Sequence, residues 1–435
     1  MSNWKKNLMG DFDYNYIIEG VTSGFCIIDE GFFPVTAFSK NYKSATVANH
    51  AASEAQIQTE ISLDRYIVAE QKPHVVSSIG AIPKSNGSVR LIHDLSRPDG
   101  GINSLTTDTA VKYPTIDDAT RMIGLGSHIA KIDLSSAYRV VPIHPECFAY
   151  TGLSWKFGDD VLDTFLYDCR LPFGGSRSCR IFQALSNAVV RIMAKAGYFC
   201  IAYIDDYMVV GSSEIVCKQA FDYLIVLVQD LGFIVNWQKV SYPCTVLTFL
   251  GIEVDCVKRT LSLPDKKLVE AREMVCLWSK KVKATKRELQ IFLGKLNWYS
   301  RVVRGGRSFM RNLINLTTKV TELHHHIRLS FSARQDIAWW SKGLWLFHGS
   351  TPFNGDIPLA SHEFSTDACL VGGGTLRTVL VLCFLAGGLS FPLWGAHKCV
   401  RVKDSGSCHE NMGSTFERKA YYSSLGQLSY GVSLE

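Results

Sequence analysis

No Cys-x-x-Cys pair occurs among the 13 cysteines of this 435-residue chain, and their number is odd. That argues against a disulfide framework and fits reduced, intracellular thiols that mostly fill cores. No secretory leader opens the sequence, so the expected setting is cytoplasmic, with nuclear access left open. The longest apolar run, Val379 to Trp394, is broken by Gly387, Gly388 and Pro392. It is too short to cross a bilayer, so no membrane partner is expected. Charged residues make up only 20% of the chain and hydrophobic ones 47%, a globular balance with enough apolar mass for real cores. Aspartate runs out early, with none after Asp404. The net charge of +6 is mildly basic, compatible with nucleic acid without requiring it.

What is present centres on Tyr203-Ile204-Asp205-Asp206-Tyr207, set between the apolar runs 199–202 and 208–210. Each run reads as a short buried strand. Two adjacent carboxylates at the turn between such strands are costly unless a cation neutralises them. A hard divalent ion, Mg²⁺ or Mn²⁺, is the natural partner; ordinary Asp-Asp turn chemistry is the competing reading. A second acid, Asp133, ends an expected strand at Lys131–Leu134 and could equally be a helix cap.

The remaining chain supplies candidate partners. Residues 44–60 look helical, within an N-terminal extension that braces the rest of the chain. Residues 75–95 read as a hairpin turning at Asn86-Gly87, with Lys84 and Arg90 on its flanks. Such a cationic pair could clasp a polyphosphate, or could be plain solvated charge. Leu171-Pro172-Phe173-Gly174-Gly175 precedes a helix expected over about 179–196, with Phe182, Leu185, Val189 and Ile192 on one face. The order from Asp133 to Ile252 is strand, helix, strand-turn-strand, helix, strand: an α+β sheet with helices on one face. Residues 264–312 concentrate Lys and Arg, interleaved with Trp278, Phe292, Trp298 and Tyr299, as in helices that face a phosphate backbone. His324-His325-His326 cannot easily converge on one metal, and the Trp339-Trp340 pair reads as packing.

Tyr203-Ile204-Asp205-Asp206, preceded by Asp133 and Tyr138, resembles the acid pattern of reverse transcriptases. Lys84 and Arg90, Leu171-Pro172-Phe173-Gly174, Lys239, Phe249-Leu250-Gly251 and Leu293-Gly294-Lys295 follow in the same order. Among retrotransposons the DIRS-type branch, near the long-terminal-repeat elements, is most similar. The resemblance implies an α+β right-hand polymerase followed by connection helices and a truncated RNase H-like domain. Its implied divisions are an extension (1–60), fingers and palm (61–263), a helical thumb (264–318), a connection (319–355) and a partial RNase H-like domain (356–435). It implies an RNA-directed DNA polymerase that adds dNTPs to a primer on an RNA or DNA template. Asp133, Asp205 and Asp206 would hold two Mg²⁺ (or Mn²⁺) ions. Tyr138 would exclude a 2′-hydroxyl, and Lys84 and Arg90 would grip the triphosphate. Phe173 and Gly174 would lie by the incoming base or template, and Lys239 would act near the pyrophosphate as a proton donor.

The sequence departs from the family in its last part. Phe364-Ser365-Thr366-Asp367-Ala368 resembles the first catalytic strand of RNase H, yet Glu410 and Glu417 are the only candidates for a second acid and the later ones are missing. RNase H activity is therefore expected to be lost or weak. The sequence leaves two other functions open: a decayed or domesticated element protein that binds nucleic acid, and a viral RNA-dependent RNA polymerase. Bulky Tyr138 disfavours the latter.

Overall fold

Side-chain alternation along three short strands sets the layout. The computed structural model describes residues 2–353 except 30, 32–34, 85, 108–110, 304 and 347–349, and beyond them only the backbone of strands 364–369, 372–377, 380–385, 420–422 and 428–430. The chain divides into two units, Met1–Gly355 and Asp356–Glu435. In chain order, the elements that build and position the site are helix α1 (His50–Ser62), the hairpin β1 (Ser78–Pro83) and β2 (Val89–Asp94), strand β3 (His128–Ser135), helix α2 (Ser176–Lys195), strands β4 (Phe199–Tyr203) and β5 (Asp206–Gly211), and helices α3 (Glu214–Asp230), α4 (Asp265–Ser279), α5 (Lys286–Tyr299) and α6 (Phe331–Leu346).

The central sheet is antiparallel, in the order Ile234–Val235, β3, β5, β4, with Ser241–Cys244 also paired to β3. Successive strand residues face opposite sides. Ala130, Ile132 and Leu134 therefore share one face with Ala202, Tyr207 and Val209, and enter a core with Phe182, Leu185, Val189 and Ile192 of α2 and Phe221, Leu224 and Val228 of α3. Each fully buried aliphatic or aromatic side chain here contributes about 1.5–3 kcal/mol. Ile129, Met208 and Val210, on the opposite face, join a second core with Phe249, Ile252, Val254 and residues of α4, α5 and α6. The helix pair thus lies on one face as expected, and the reverse face is closed at one end by this second core. Asp133 and Asp206 fall in the alternation with Ile129 and Met208, on that second face.

The N-terminal residues are part of the first core: Trp4, Leu8, Ile17 and Phe25 are buried in it, and Trp4 Nε1 donates to the carbonyl of Leu231 at 3.0 Å. Two local expectations are corrected. The helix expected over 44–60 is split into Lys43–Thr46 and α1. Val75–Val76 does not extend the hairpin, since it pairs in parallel with Ala37–Phe38 while β1 and β2 pair with each other. Ser77, between them, sends its N–H to the carbonyl of Gly152 instead.

Residues 265–346 form a helical layer in which α6 packs on α4 through Trp340, Ile337 and Leu344 against the second core. Trp278 and Phe292 stack with ring centroids 4.1 Å apart and are buried. These aromatics build the layer's interior and are not free to stack on bases, which corrects the reading of them as interleaved contacts. Phe309 and Trp339 stack in the same way, and Trp340 is fully buried. In the second unit the backbone of 364–369, 372–377 and 380–385 makes a three-stranded antiparallel sheet with Asp367 opposite Gly374. The side chains of Asp367, Glu410 and Glu417 lie outside the described residues. Among the described residues no helix is long and apolar enough to cross a membrane.

Candidate active site

Strand register brings the acids together. Asp206 begins β5 directly opposite Asp133 on β3 and directly opposite Tyr203 on β4, so Ile204 and Asp205 form a two-residue turn at the tip. The Asp205 carbonyl accepts the N–H of Leu134 at 3.0 Å, tying that tip to β3 as well. Ile204 adopts φ +53°. A β-branched residue there is a true outlier, costing about 1–3 kcal/mol, and such strain concentrates at functional sites.

The carboxylates are held by cations. Asp133 is 5% exposed, receives Lys239 Nζ at 3.0 and 3.1 Å, and accepts Asn236 Nδ2 at 3.1 Å. Lys131 Nζ lies 3.2 Å from Asp206 Oδ1, a buried oxygen that makes no hydrogen bond. Burial pushes the Asp205 carboxyl above its ordinary range, and the neighbouring charges of Asp133 and Asp206 push the same way. Burial also raises Asp206, against the pull of Lys131. Among the described residues no three His, Cys, Asp or Glu side chains converge as a ready metal cage. The donor chemistry nevertheless suits a hard divalent ion: clustered carboxylates, and a desolvated oxygen whose only cationic contact is a movable ammonium.

Tyr138 and its neighbours line the same end of the sheet. Ser136, at φ +52°, turns the chain out of β3 into the single turn Ala137–Val140. Tyr138 is 7% exposed; its ring stacks on Phe173 at 5.2 Å and leans on Phe182, and its hydroxyl donates to Cys179 Sγ at 3.0 Å. Burial and that thiol contact raise its pKa. The guanidinium of Arg90 on β2 sits 5.3 Å from the Phe173 ring, a cation–π distance. Arg90, Phe173 and Tyr138, far apart in sequence, therefore form one stack. Gly174 meets the carbonyl of His93 on β2 so closely that a Cβ would collide with it. Lys84 is exposed at the end of β1, where its N–H bonds Ser88 across the turn.

Arg139, next to Tyr138, is buried and anchors that turn. Its Nε donates to Glu60 of α1 at 2.9 Å and its Nη1 to Asp168 at 2.8 and 3.0 Å. Charge-assisted pairs of this kind are strong but leave a heavy desolvation cost if one partner goes. Lys131, Asn236 and Cys179 were not singled out from sequence. Lys131 was legible in hindsight from alternation, two residues before Asp133 and so on its face. Asn236 and Cys179 gave no such signal, because their contacts join segments 103 and 41 residues apart.

Residues 82–254 match the family model of the reverse transcriptase (RNA-dependent DNA polymerase). That stretch holds Lys84, Arg90, Asp133, Tyr138, Asp205, Asp206 and Lys239. The chain has homologues among retroviral and retrotransposon Pol proteins. It is 24% identical over 315 residues to the Gag-Pro-Pol polyprotein of bovine leukemia virus, a match covering 72% of this chain and 20% of that protein. It is 23% identical over 256 residues to the retrovirus-related Pol polyprotein from transposon gypsy of Drosophila melanogaster, covering 57% of this chain and 21% of that one. The chain thus spans about a fifth of the length of these relatives. Its structure is similar to a foamy viral protease–reverse transcriptase solved in complex with double-stranded DNA, with TM-score 0.61 and 15% identity over 89% of this chain and 66% of that one. At that identity the likeness shows a shared, mixed α+β polymerase-like fold.

Proposed function

We propose that this chain is an RNA-directed DNA polymerase that adds dNTPs to the 3′-hydroxyl of a primer on an RNA or DNA template. The observation that carries this reading is the register of Asp133 opposite Asp206, with Asp205 at the strained tip between them. Residues 61–263 act as fingers and palm, 264–318 as a thumb, and 319–355 as a connection whose helix α6 packs into the thumb's own core.

Asp133, Asp205 and Asp206 would hold the divalent ions, which when bound lower the pKa of a hydroxyl and neutralise a leaving phosphate. Lys84 and Arg90 bind the triphosphate from the opposite hairpin, because a polyanion needs cations on the side away from the acids. The Tyr138 ring, backed by Phe173 and Phe182, fills the space a ribose 2′-hydroxyl would take. Lys239, whose side chain is 60% exposed, is held on Asp133 in the free protein and can swing to hold a proton for the departing pyrophosphate. The template-primer is nucleic acid, which a net charge of +6 and the exposed cations of α4 and α5 favour.

The test is primer extension with dNTPs and Mg²⁺ on a primed RNA template. Extension by the wild type, lost in Asp205→Asn/Asp206→Asn, is the expected result. Unchanged extension by that variant would remove the acids from the mechanism.

A further inference from the structure

We infer that Gln183 and Ser186, on the buried face of α2, are positioning residues that clamp the backbone of Ile204 in its left-handed conformation and thereby set Asp205 for reaction. The inference rests on the polymerase reading of the acid turn and goes beyond it, because neither side chain touches an acid.

The geometry is specific. Gln183 is 1% exposed. Its Oε1 accepts the N–H of Ile204 at 2.9 Å, and its Nε2 donates both protons, to the carbonyl of Ala202 at 3.0 Å and to Asn187 Oδ1 at 2.8 Å. The hydroxyl of Ser186, also fully buried, donates to the carbonyl of Ile204 at 2.6 Å. Both polar groups of Ile204's backbone are thus taken by one helix. The two clamp residues are three apart on α2, so they share a helix face. A two-residue turn leaves its first N–H and C=O outside the strand ladder, and buried backbone groups need partners.

Those hydrogen bonds explain how an isoleucine tolerates φ +53°. They act beside the pairing of Tyr203 with Asp206 and the bond from Leu134 N–H to the Asp205 carbonyl, and they are the hydrogen bonds that reach Ile204's own N–H and C=O. Asp205 is the next residue, so a change in Ile204 backbone angles re-aims its carboxylate directly. Asp133 and Asp206 are fixed by the strand ladder and would stay put. The clamp therefore acts on the acid in the turn, which the sheet holds only through the bond from Leu134 N–H to its carbonyl.

Gln183→Leu is expected to lower kcat for primer extension about 10²-fold, the loss typical of a misplacement near 1 Å, while changing the KM for dNTP much less. The distinguishing readout is rescue. Glycine adopts positive φ freely, so Gln183→Leu/Ile204→Gly should regain most of the lost kcat. A role in helix packing alone would not respond to residue 204. If Gln183→Leu does not fold by circular dichroism, Ser186→Ala carries the same comparison with a smaller disturbance. A folded Gln183→Leu with wild-type kcat, or a loss that Ile204→Gly leaves untouched, overturns the clamp while the polymerase reading stands. A wild type that extends no primer overturns the polymerase reading, and the clamp with it.

Discussion

Asp133 and Asp206 face each other across β3 and β5, and each meets its own lysine: Lys239 at 3.0 Å on one side and Lys131 at 3.2 Å on the other. Two ammonium groups thus hold the carboxylates in the free protein. Any divalent ion that enters must compete with them, which links metal binding to the movement of two side chains.

The half-buried acids of the turn destabilise the free fold. Asp205 and Asp206 both have folded pKa values above the ordinary 3.8, so the folded chain binds their protons more tightly than the unfolded chain does. Their charged forms therefore cost stability above the folded pKa values, and that cost fades as pH falls through them toward 3.8. Asp205→Asn should raise the melting temperature of the metal-free protein at pH 7 by about 1–4 °C. The gain should shrink at pH 4. Calorimetry of both proteins at the two pH values checks this, and an unchanged or lower melting temperature at pH 7 contradicts it.

Lys131 is expected to matter most when no metal is present. Lys131→Met leaves Asp206 Oδ1 desolvated and unpaired, at a cost of about 1–3 kcal/mol. Added Mg²⁺ should narrow the difference, because it supplies the missing positive charge. Urea unfolding with EDTA and with Mg²⁺ measures both gaps; equal gaps would mean that Lys131 and the ion do not share a site.

Tyr138→Ala should raise ribonucleotide incorporation relative to dNTP by roughly 10–200-fold, the range available to a steric pocket. It should also destabilise the fold by about 3–5 kcal/mol, since the ring is buried between Phe173 and Phe182. Competition between a matched rNTP and dNTP reads the first effect. A selectivity that does not move would place the sugar elsewhere.

Salt dependence separates the cations of the helical layer. Lys295 is exposed, whereas Lys281 is engaged with Glu288 at 2.8 Å, Lys286 with the carbonyl of Val320 at 2.6 Å, and Arg301 with Asp117 at 3.1 Å. Each phosphate contact steepens the plot of log affinity against log salt by about 0.7–0.9. Lys295→Gln should flatten the slope for a primed template by about that amount, and Lys281→Gln should not. Filter binding at several salt concentrations distinguishes them; the reverse order would reassign the nucleic-acid face.

The strand-turn-strand around Asp205 and the buried face of α2 were legible because both rest on local period: two for strands, near 3.6 for the helix. Phe182, Leu185, Val189 and Ile192 read as one face and are buried as one. Contacts that join distant segments were not legible. Nothing near Val75 signals that it pairs with Ala37, and nothing near Gln183 signals that its amide closes on Ile204. Composition misled at Trp278 and Phe292, where aromatics among cations suggested a binding surface. The stack they form shows that a helical layer this basic needs its aromatics for its own interior.

The anchoring of Arg139 to Glu60 carries a consequence for the start of the chain. Excising α1 would remove Glu60 and leave the buried guanidinium next to Tyr138 with Asp168 and the Leu171 carbonyl as its remaining partners. If Tyr138 selects the sugar as proposed, the segment before the hairpin supports that choice, and shortening it should blur discrimination well before it unfolds the sheet.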